Sequence, residues 1–304
     1  MAVMTGADLR FATEPVLNNH FDGVYKALPA EYSSVFDVGT GMERRYYEEI
    51  QVMGFGAASE KGEGANIVYD SGGEAFRQVV RYVRYALAFA LTQDLIDDAE
   101  MVRVATLYST HLARSMAETK EIVHADILNR AITSGYNGGD GVVLLSASHP
   151  LGGGGTFSNY LASTDLSDYS LKQVLISVRK AVDERNKRIN LQPKQLIVPP
   201  DGEYAANEIL FSKGRSGTAN NDLNTIASTN RLSKVQVMTR LTTAASWFVQ
   251  TDAPNGLISR QHPNGGMKKG MEGDFETDNM RYKAQERYAC TWVDPRGVFG
   301  SMGA

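Results

Sequence analysis

The sequence predicts an α+β fold in which one long helix carries a half-buried sheet, and three stretches of its 304 residues predict it. From Gln93 to about Thr133, Met101, Ala105, Tyr108, Leu112, Met116, Val123, Ile127 and Ala131 recur at three- and four-residue spacing, which places them on one helical stripe. Near the end of the chain, Met280, Tyr282, Ala284, Tyr288, Cys290 and Trp292 alternate with Arg281, Lys283, Gln285, Arg287 and Thr291. That is the period of a strand with one wet face, and only Glu286 interrupts its apolar side. Between Tyr46 and Leu91, strand-like runs flank a glycine-rich gap, the pattern of a long hairpin.

Taken in order, residues 1–45 show no sustained period and are punctuated by Pro15, Pro29, Gly39 and Gly41, which suits either a loosely structured arm lying against a partner surface or an ordinary segment packed on its own domain. Tyr46–Val52 reads as a strand, the glycine-rich stretch Gly54–Gly73 as a loop, and Phe76–Leu91 as one extended segment. Such a segment would reach about 50 Å, more than the radius of a compact domain, so it is expected to lean on a neighbouring molecule. The long helix begins after a capping Thr92, with Asp94, Asp97 and Asp98 at the positive end of its dipole, and stops at Gly135. It would make about 60 Å of rod. A second helix is expected over Ser170–Ile189, a buried strand at Leu196–Val198 and a third helix at Tyr204–Phe211. A surface loop over Ser212–Asn230 and short strands at Val235–Met238, Trp247–Gln250 and Gly256–Ser259 complete a mixed α/β unit over residues 160–262.

Composition narrows the function. The formal net charge is -4, from 31 basic and 35 acidic side chains with no long block of either sign, a poor footprint for a dedicated reader of nucleic acid. Cys290 is the only cysteine, so neither an intrachain disulfide nor a cysteine-rich zinc site is available. Met1–Leu9 does not have the pattern of a signal peptide, and the apolar run Tyr82–Leu91 is too short and too charged, with Arg84, to span a bilayer as a helix.

The residues that carry catalysis do not converge. His111 and His124 are thirteen positions apart on the long helix, so they cannot share a metal within it; Glu121 and His124 are three apart, a spacing that suits two ligands or an ordinary helix-surface pair. Cys290 with His262 or His149 would be a nucleophile pair, but Cys290 falls on the apolar face of the last strand, the place of a small buried hydrophobe. The glycine runs Gly152–Gly155 and Gly214–Gly217 do not sit between a strand and a helix start, so they read as turns and not as phosphate loops. No catalytic, cofactor or metal residue is therefore assigned. The charges of the arm, Lys61, Glu63, Asp70, Arg77, Arg81 and Arg84, are assigned instead as candidates for contacts between subunits, where salt bridges set register.

The order of several fragments resembles the major capsid (major head) proteins of tailed bacteriophages with the HK97-type fold, including head subunits of Mu-like phages. The fragments are Ala90–Asp98 leading into the long helix, Thr119–Glu121 followed by Leu128–Ala131, Asp140–Gly141 to Ser148–Leu151, Leu196–Pro200, and Trp292–Gly297. The resemblance implies an N-terminal arm over 1–45, an extended loop (E-loop) over 46–91, and a peripheral domain with a spine helix over 92–160. It further implies an axial domain over 161–262 and a peripheral return strand and C-terminus over 263–304. It implies a structural protein and not an enzyme, without cofactors. Its copies would form hexamers and pentamers of an icosahedral head that encloses double-stranded DNA, contacted weakly and without sequence preference. The same resemblance implies a separate scaffolding protein, a portal and a decoration protein as partners, no membrane, and assembly in the bacterial host cytoplasm into the virion. An encapsulin-like nonviral shell is the alternative of the same fold, and a small metallo- or cysteine hydrolase the alternative of another class. Tail tube proteins also polymerise, but are mostly β-structured and do not need so long a helix.

Overall fold

The computed structural model describes residues 6–64, 66–92, 101–214, 223–229, 231–274 and 279–304. Two sheets and one long helix organise the chain. Helix α1 (Gly6–Ala27) is followed by the single turn α2 (Tyr32–Val35), strand β1 (Asp37–Thr40) and the hairpin of β2 (Tyr46–Met53) with β3 (Gly73–Arg81). After β4 (Val83–Leu91) comes the long helix α3 (Met101–Asn129), then the short pair β5 (His149–Pro150) and β6 (Thr156–Phe157). Helix α4 (Asp168–Lys180), β7 (Pro193–Val198), α5 (Glu203–Phe211), α6 (Thr225–Thr229), β8 (Val235–Val237) and β9 (Trp247–Thr251) follow. The chain closes with β10 (Leu257–Gln261), β11 (Lys268–Gly273), β12 (Met280–Trp292) and β13 (Val298–Ser301). Among the described residues, no helix is long and apolar enough to cross a membrane.

Strand β12 is the spine of a five-stranded sheet. It pairs antiparallel with β4 on one side and with β10 and β11 on the other, and β1 adds in parallel to β10. One face of this sheet lies on α3 and α1, where Leu17, Phe21, Leu112, Ala113, Met116, Tyr282 and Ala284 form a continuous apolar layer. A second sheet, in the order β13-β9-β7-β8, buries Leu196, Val198, Trp247, Val249 and Phe299 against Leu171, Val174 and Val178 of α4 and against α5. The chain threads the two sheets alternately. β10, expected in the mixed unit before residue 262, belongs to the first sheet, and β13 returns from the far end of the chain to pair with β9.

Three expectations are corrected by this arrangement. Of the two readings of residues 1–45, the loosely structured arm gives way to the packed segment: a helix over Gly6–Ala27, with Leu17 and Phe21 fully buried one turn apart, is docked on α3. Pro15 interrupts the pattern in the sequence, yet tertiary packing supports the helix through it: Leu17 O accepts from Ser109 Oγ and His20 pairs with Thr110 at 2.8 Å. The extended segment Phe76–Leu91 is two strands separated at Tyr82: β3 pairs with β2, and β4 crosses to β12, so the hairpin itself spans 46–81. The second helix ends at Lys180 and does not continue to Ile189. Asp183 Oδ1 accepts the backbone N–H groups of Arg185 and Lys187, both at 2.8 Å, and this local turn outcompetes the helix. Asn186 then takes a φ of 60° to close it.

The long helix is described from Met101 to Asn129, and the expected start over 93–100 with its Thr92 cap lies outside the described residues. Its buried stripe includes polar side chains that an apolar count passes over: Ser109, Glu121 and His124 are all buried beside Ala105, Leu112, Ala113, Met116, Ala125 and Leu128, whereas Tyr108 is exposed.

Candidate functional site

The hairpin β2–β3 stands on the body of the molecule by one face and a root. Its inner residues Tyr47 and Val80 pack with Tyr82, Ile258, Ala289 and Val293. Period-two alternation then turns Tyr46, Glu48, Ile50, Val52, Glu74, Arg77, Val79 and Arg81 outward. On that outer face Arg77 pairs with Glu74 and, at 3.5 Å, with Glu48, so these charges neutralise one another within the hairpin. The apolar members Tyr46, Ile50, Val52 and Val79 remain open to water.

The root is a buried polar knot. Glu184, on the turn after α4, accepts from Gln51 Nε2 of β2 at 3.0 Å, from the N–H of Gly152 at 2.7 Å and from Arg296 at 2.7 Å. Arg296 also pairs with Asp294, and its guanidinium stacks over Phe157. Burial pushes the Asp294 carboxyl up, against the pull of Arg296. Gln78 Nε2 donates to Thr291 Oγ1 of β12 at 3.1 Å.

Beyond the strands, the loop that joins β2 to β3 is exposed almost throughout, and Phe55, Ile67, Val68 and Tyr69 have no cover; Tyr69 is 93% exposed. Three ties hold the loop to the same 183–187 turn. Asp70 pairs with Arg185 at 2.9 Å, Arg185 donates to Ser71 O at 2.5 Å, and Lys187 Nζ donates to Phe55 O. The N–H of Gly56 donates to Asp70 at 2.6 Å and, with the Arg185 guanidinium, holds that carboxyl below the usual carboxylate range.

The six contact candidates thus divide. Asp70 and Arg77 are engaged within the chain, whereas Lys61, Glu63, Arg81 and Arg84 are exposed and their side chains have no hydrogen bond or ion pair among the described residues. Glu184, Arg185, Lys187 and Arg296, which anchor the arm, escaped the sequence reading. Asp70 and Arg185 lie 115 positions apart, and nothing in either neighbourhood announces the other.

The residues weighed for catalysis are occupied structurally. Cys290 Sγ donates to Val123 O at 3.3 Å, and burial pushes its thiol up to about 12, which leaves essentially no thiolate at neutral pH. His149 is bound to Asp140 at 2.6 Å and to Asn159 at 3.1 Å, and His262 Nδ1 accepts from the N–H of Asn264 at 3.1 Å. His124 reaches Ser259 Oγ at 2.8 Å and Lys120 O at 2.6 Å, while Glu121 accepts from the N–H of Tyr32, so the pair does not turn to a common point. Among the described residues no group of three or more His, Cys, Asp or Glu side chains is placed to hold a metal ion. Gly152–Gly155 forms a turn against Glu184, with Gly154 and Gly155 at φ of 92° and 93°, and residues 215–217 of the other run lie outside the described residues.

Comparison with known proteins gives a consistent answer. The family model described as "Phage capsid protein" matches residues 77–300. Among solved structures, the capsid of the native GTA particle is 12% identical and superposes with a TM-score of 0.60, covering 91% of this chain and 92% of that one. A chain from Mycobacterium phage Adephagia is 12% identical with a TM-score of 0.55, covering 91% of both chains. The capsid of Myoviridae phage XM1 is 11% identical with a TM-score of 0.54, covering 91% of this chain and 92% of that one. At these identities the likeness is one of fold. No curated protein matches the sequence.

Proposed function

Because the chain belongs to the phage capsid protein family and has the HK97-type major capsid fold, a structural and not a catalytic protein, we propose that its copies assemble as hexamers and pentamers into an icosahedral head around double-stranded DNA. The observation that carries this reading is the arm: a two-stranded sheet whose outer face leaves Tyr46, Ile50, Val52 and Val79 open to water beside its charged residues, ending in a loop whose Ile67, Val68 and Tyr69 are exposed. A monomer gains nothing from holding such surface in water, and a neighbouring subunit would bury it.

In this reading residues 46–91 are the extended loop and its continuation into the peripheral sheet, α3 is the spine helix of the peripheral domain, and the second sheet with α4 and α5 is the axial domain. Lys61, Glu63, Arg81 and Arg84 contact neighbouring subunits, while Asp70 and Arg77 act within the arm to direct and stiffen it. A scaffolding protein, a portal and a decoration protein complete the assembly in the bacterial cytoplasm. Packaged DNA meets a wall with a net charge of -4 per subunit, which contains the polymer without gripping it.

The test is the cargo of particles purified after co-expression with a scaffolding partner. Nuclease-protected double-stranded DNA is expected in filled heads. Particles that hold a folded protein in place of DNA would identify the nonviral shell instead.

A further inference from the structure

Helix α4 has two working faces, and the second sheet uses only one of them. Leu171, Val174 and Val178 are buried in the core that α4 shares with that sheet. Lys172, Leu175, Ile176, Arg179 and Lys180 recur at spacings of three and four along the adjoining face. With Pro193 of β7, Ile226 of α6 and Arg231 they line a groove of about 650 Å³, a size that suits a small molecule. The floor is apolar. Ile226 is buried, Leu175 and Pro193 are half-buried, and Ile176 lies open to water with 46% of its surface exposed.

The rim is cationic. Lys172, Arg179, Lys180 and Arg231 all line the groove and no Asp or Glu does, on a chain whose net charge is -4. Two of the four are engaged: Lys172 pairs with Asp168 at 2.7 Å, and Arg179 donates to Asn190 Oδ1 at 2.7 Å. Lys180 on α4 and Arg231 beyond α6 are exposed, and their side chains have no hydrogen bond or ion pair among the described residues. Cations gathered over a wet apolar floor carry two costs, mutual repulsion and exposed hydrocarbon, and an anion with an apolar tail removes both. We propose that the groove binds a free fatty-acid carboxylate, its head between Lys180 and Arg231 and its chain on Leu175, Ile176, Pro193 and Ile226. An inorganic anion leaves the floor wet, and a neutral amphiphile leaves the cations unpaired. A lipid held in a bilayer answers only the charges, because its tails stay in the bilayer. The site belongs to the single chain and needs no second copy.

Isothermal titration of the dilute full chain with sodium dodecanoate, kept below its micellar concentration, tests the site. One saturable site per chain is expected. Decanoate, with two methylenes fewer to lay on the floor, should bind roughly tenfold more weakly, and acetate not at all. Lys180→Glu with Arg231→Glu should weaken dodecanoate binding about tenfold or more and admit dodecyltrimethylammonium, which the parent refuses. Ile176→Asp, at a position already open to water, should weaken dodecanoate with the melting midpoint in place. Equal dodecanoate affinity in the parent and the Lys180→Glu/Arg231→Glu chain, both melting alike, overturns the proposal. Absence of a saturable site overturns it, as does dodecyltrimethylammonium binding to the parent as tightly as dodecanoate. An acidic amphipathic helical peptide that binds where dodecanoate does not would assign the groove to a protein partner. Self-association altered by the double charge reversal, without dodecanoate binding, would assign it to a second copy. Either result overturns the fatty-acid site.

Discussion

Lys120 of α3 and Glu286 of β12 meet at 2.6 Å with side chains only 12% and 3% exposed, an ion pair in the seam between the long helix and the sheet it carries. Glu286 is the residue that breaks the apolar face of the last strand, and the structure supplies it with three donors. Besides Lys120, Gln261 Nε2 of β10 reaches it at 3.0 Å, and the Tyr25 hydroxyl of α1 donates at 3.0 Å. One carboxylate therefore ties four elements together. Withdrawal from water and the neighbouring Glu286 charge together raise the Tyr25 phenol far above its ordinary value, which keeps it a donor.

Removing one member of this pair leaves the other charged, buried and alone. Glu286→Ala is expected to destabilise the chain by about 3–5 kcal/mol in urea unfolding, and the double variant Lys120→Met/Glu286→Leu much less, because an apolar pair leaves no orphan charge. Equal losses in both would show that packing and not charge dominates the seam.

His124 is held neutral at the same seam, stacked on Tyr32 and edge-on to Phe36, and burial pushes its imidazole down to about 4. Because the folded value is below the unfolded one of about 6.5, the unfolded chain binds the extra proton first. The contribution is complete above pH 6.5 and is lost as pH falls toward 4, about 3 kcal/mol in all. Comparing the parent with His124→Gln isolates it from the titrating carboxylates: the stability difference between the two should shrink by that amount between pH 7 and pH 4.

With its thiol pushed up to about 12, Cys290 should react with a thiol-directed reagent at pH 8 roughly 10³-fold more slowly in the folded chain than in denaturant. Fast labelling of the folded protein would contradict the burial that removes it from catalysis.

The arm should open without the body unfolding. Arg185→Ala removes the Asp70 pair and the Ser71 contact at once, so trypsin is expected to cut at Lys61 several times faster while the melting midpoint stays in place. Unchanged cleavage would mean that the loop is held by the strands alone.

Much of this architecture was legible along the chain because periodicity records what each element faces. The alternation matches the burial of β12 from Met280 to Tyr288 and breaks at Ala289, which is buried, and Cys290, which is half-buried, while the strand at Leu196–Val198 and the helix at Tyr204–Phe211 fall where their patterns place them. Most failures share one cause, partners distant in sequence; the end of α4 at Lys180 is the exception, set by the local turn at Asp183. The helix Gly6–Ala27 is stabilised by α3, about ninety positions onward, and no local signal replaces that contact. Glu286 looks like a defect until Lys120 and Tyr25 arrive from elsewhere. The arm's outward charges were legible as a set. Which of them are spent at home was not, because Arg185 lies in a turn fixed by Asp183 that its own sequence presents as helix.

The central claim is assembly, and electron microscopy of the concentrated chain, alone and with a scaffolding partner, tests it most directly. Closed angular shells that reconstruct as hexamers and pentamers of this chain are expected, and a chain that stays monomeric under every condition would contradict the account.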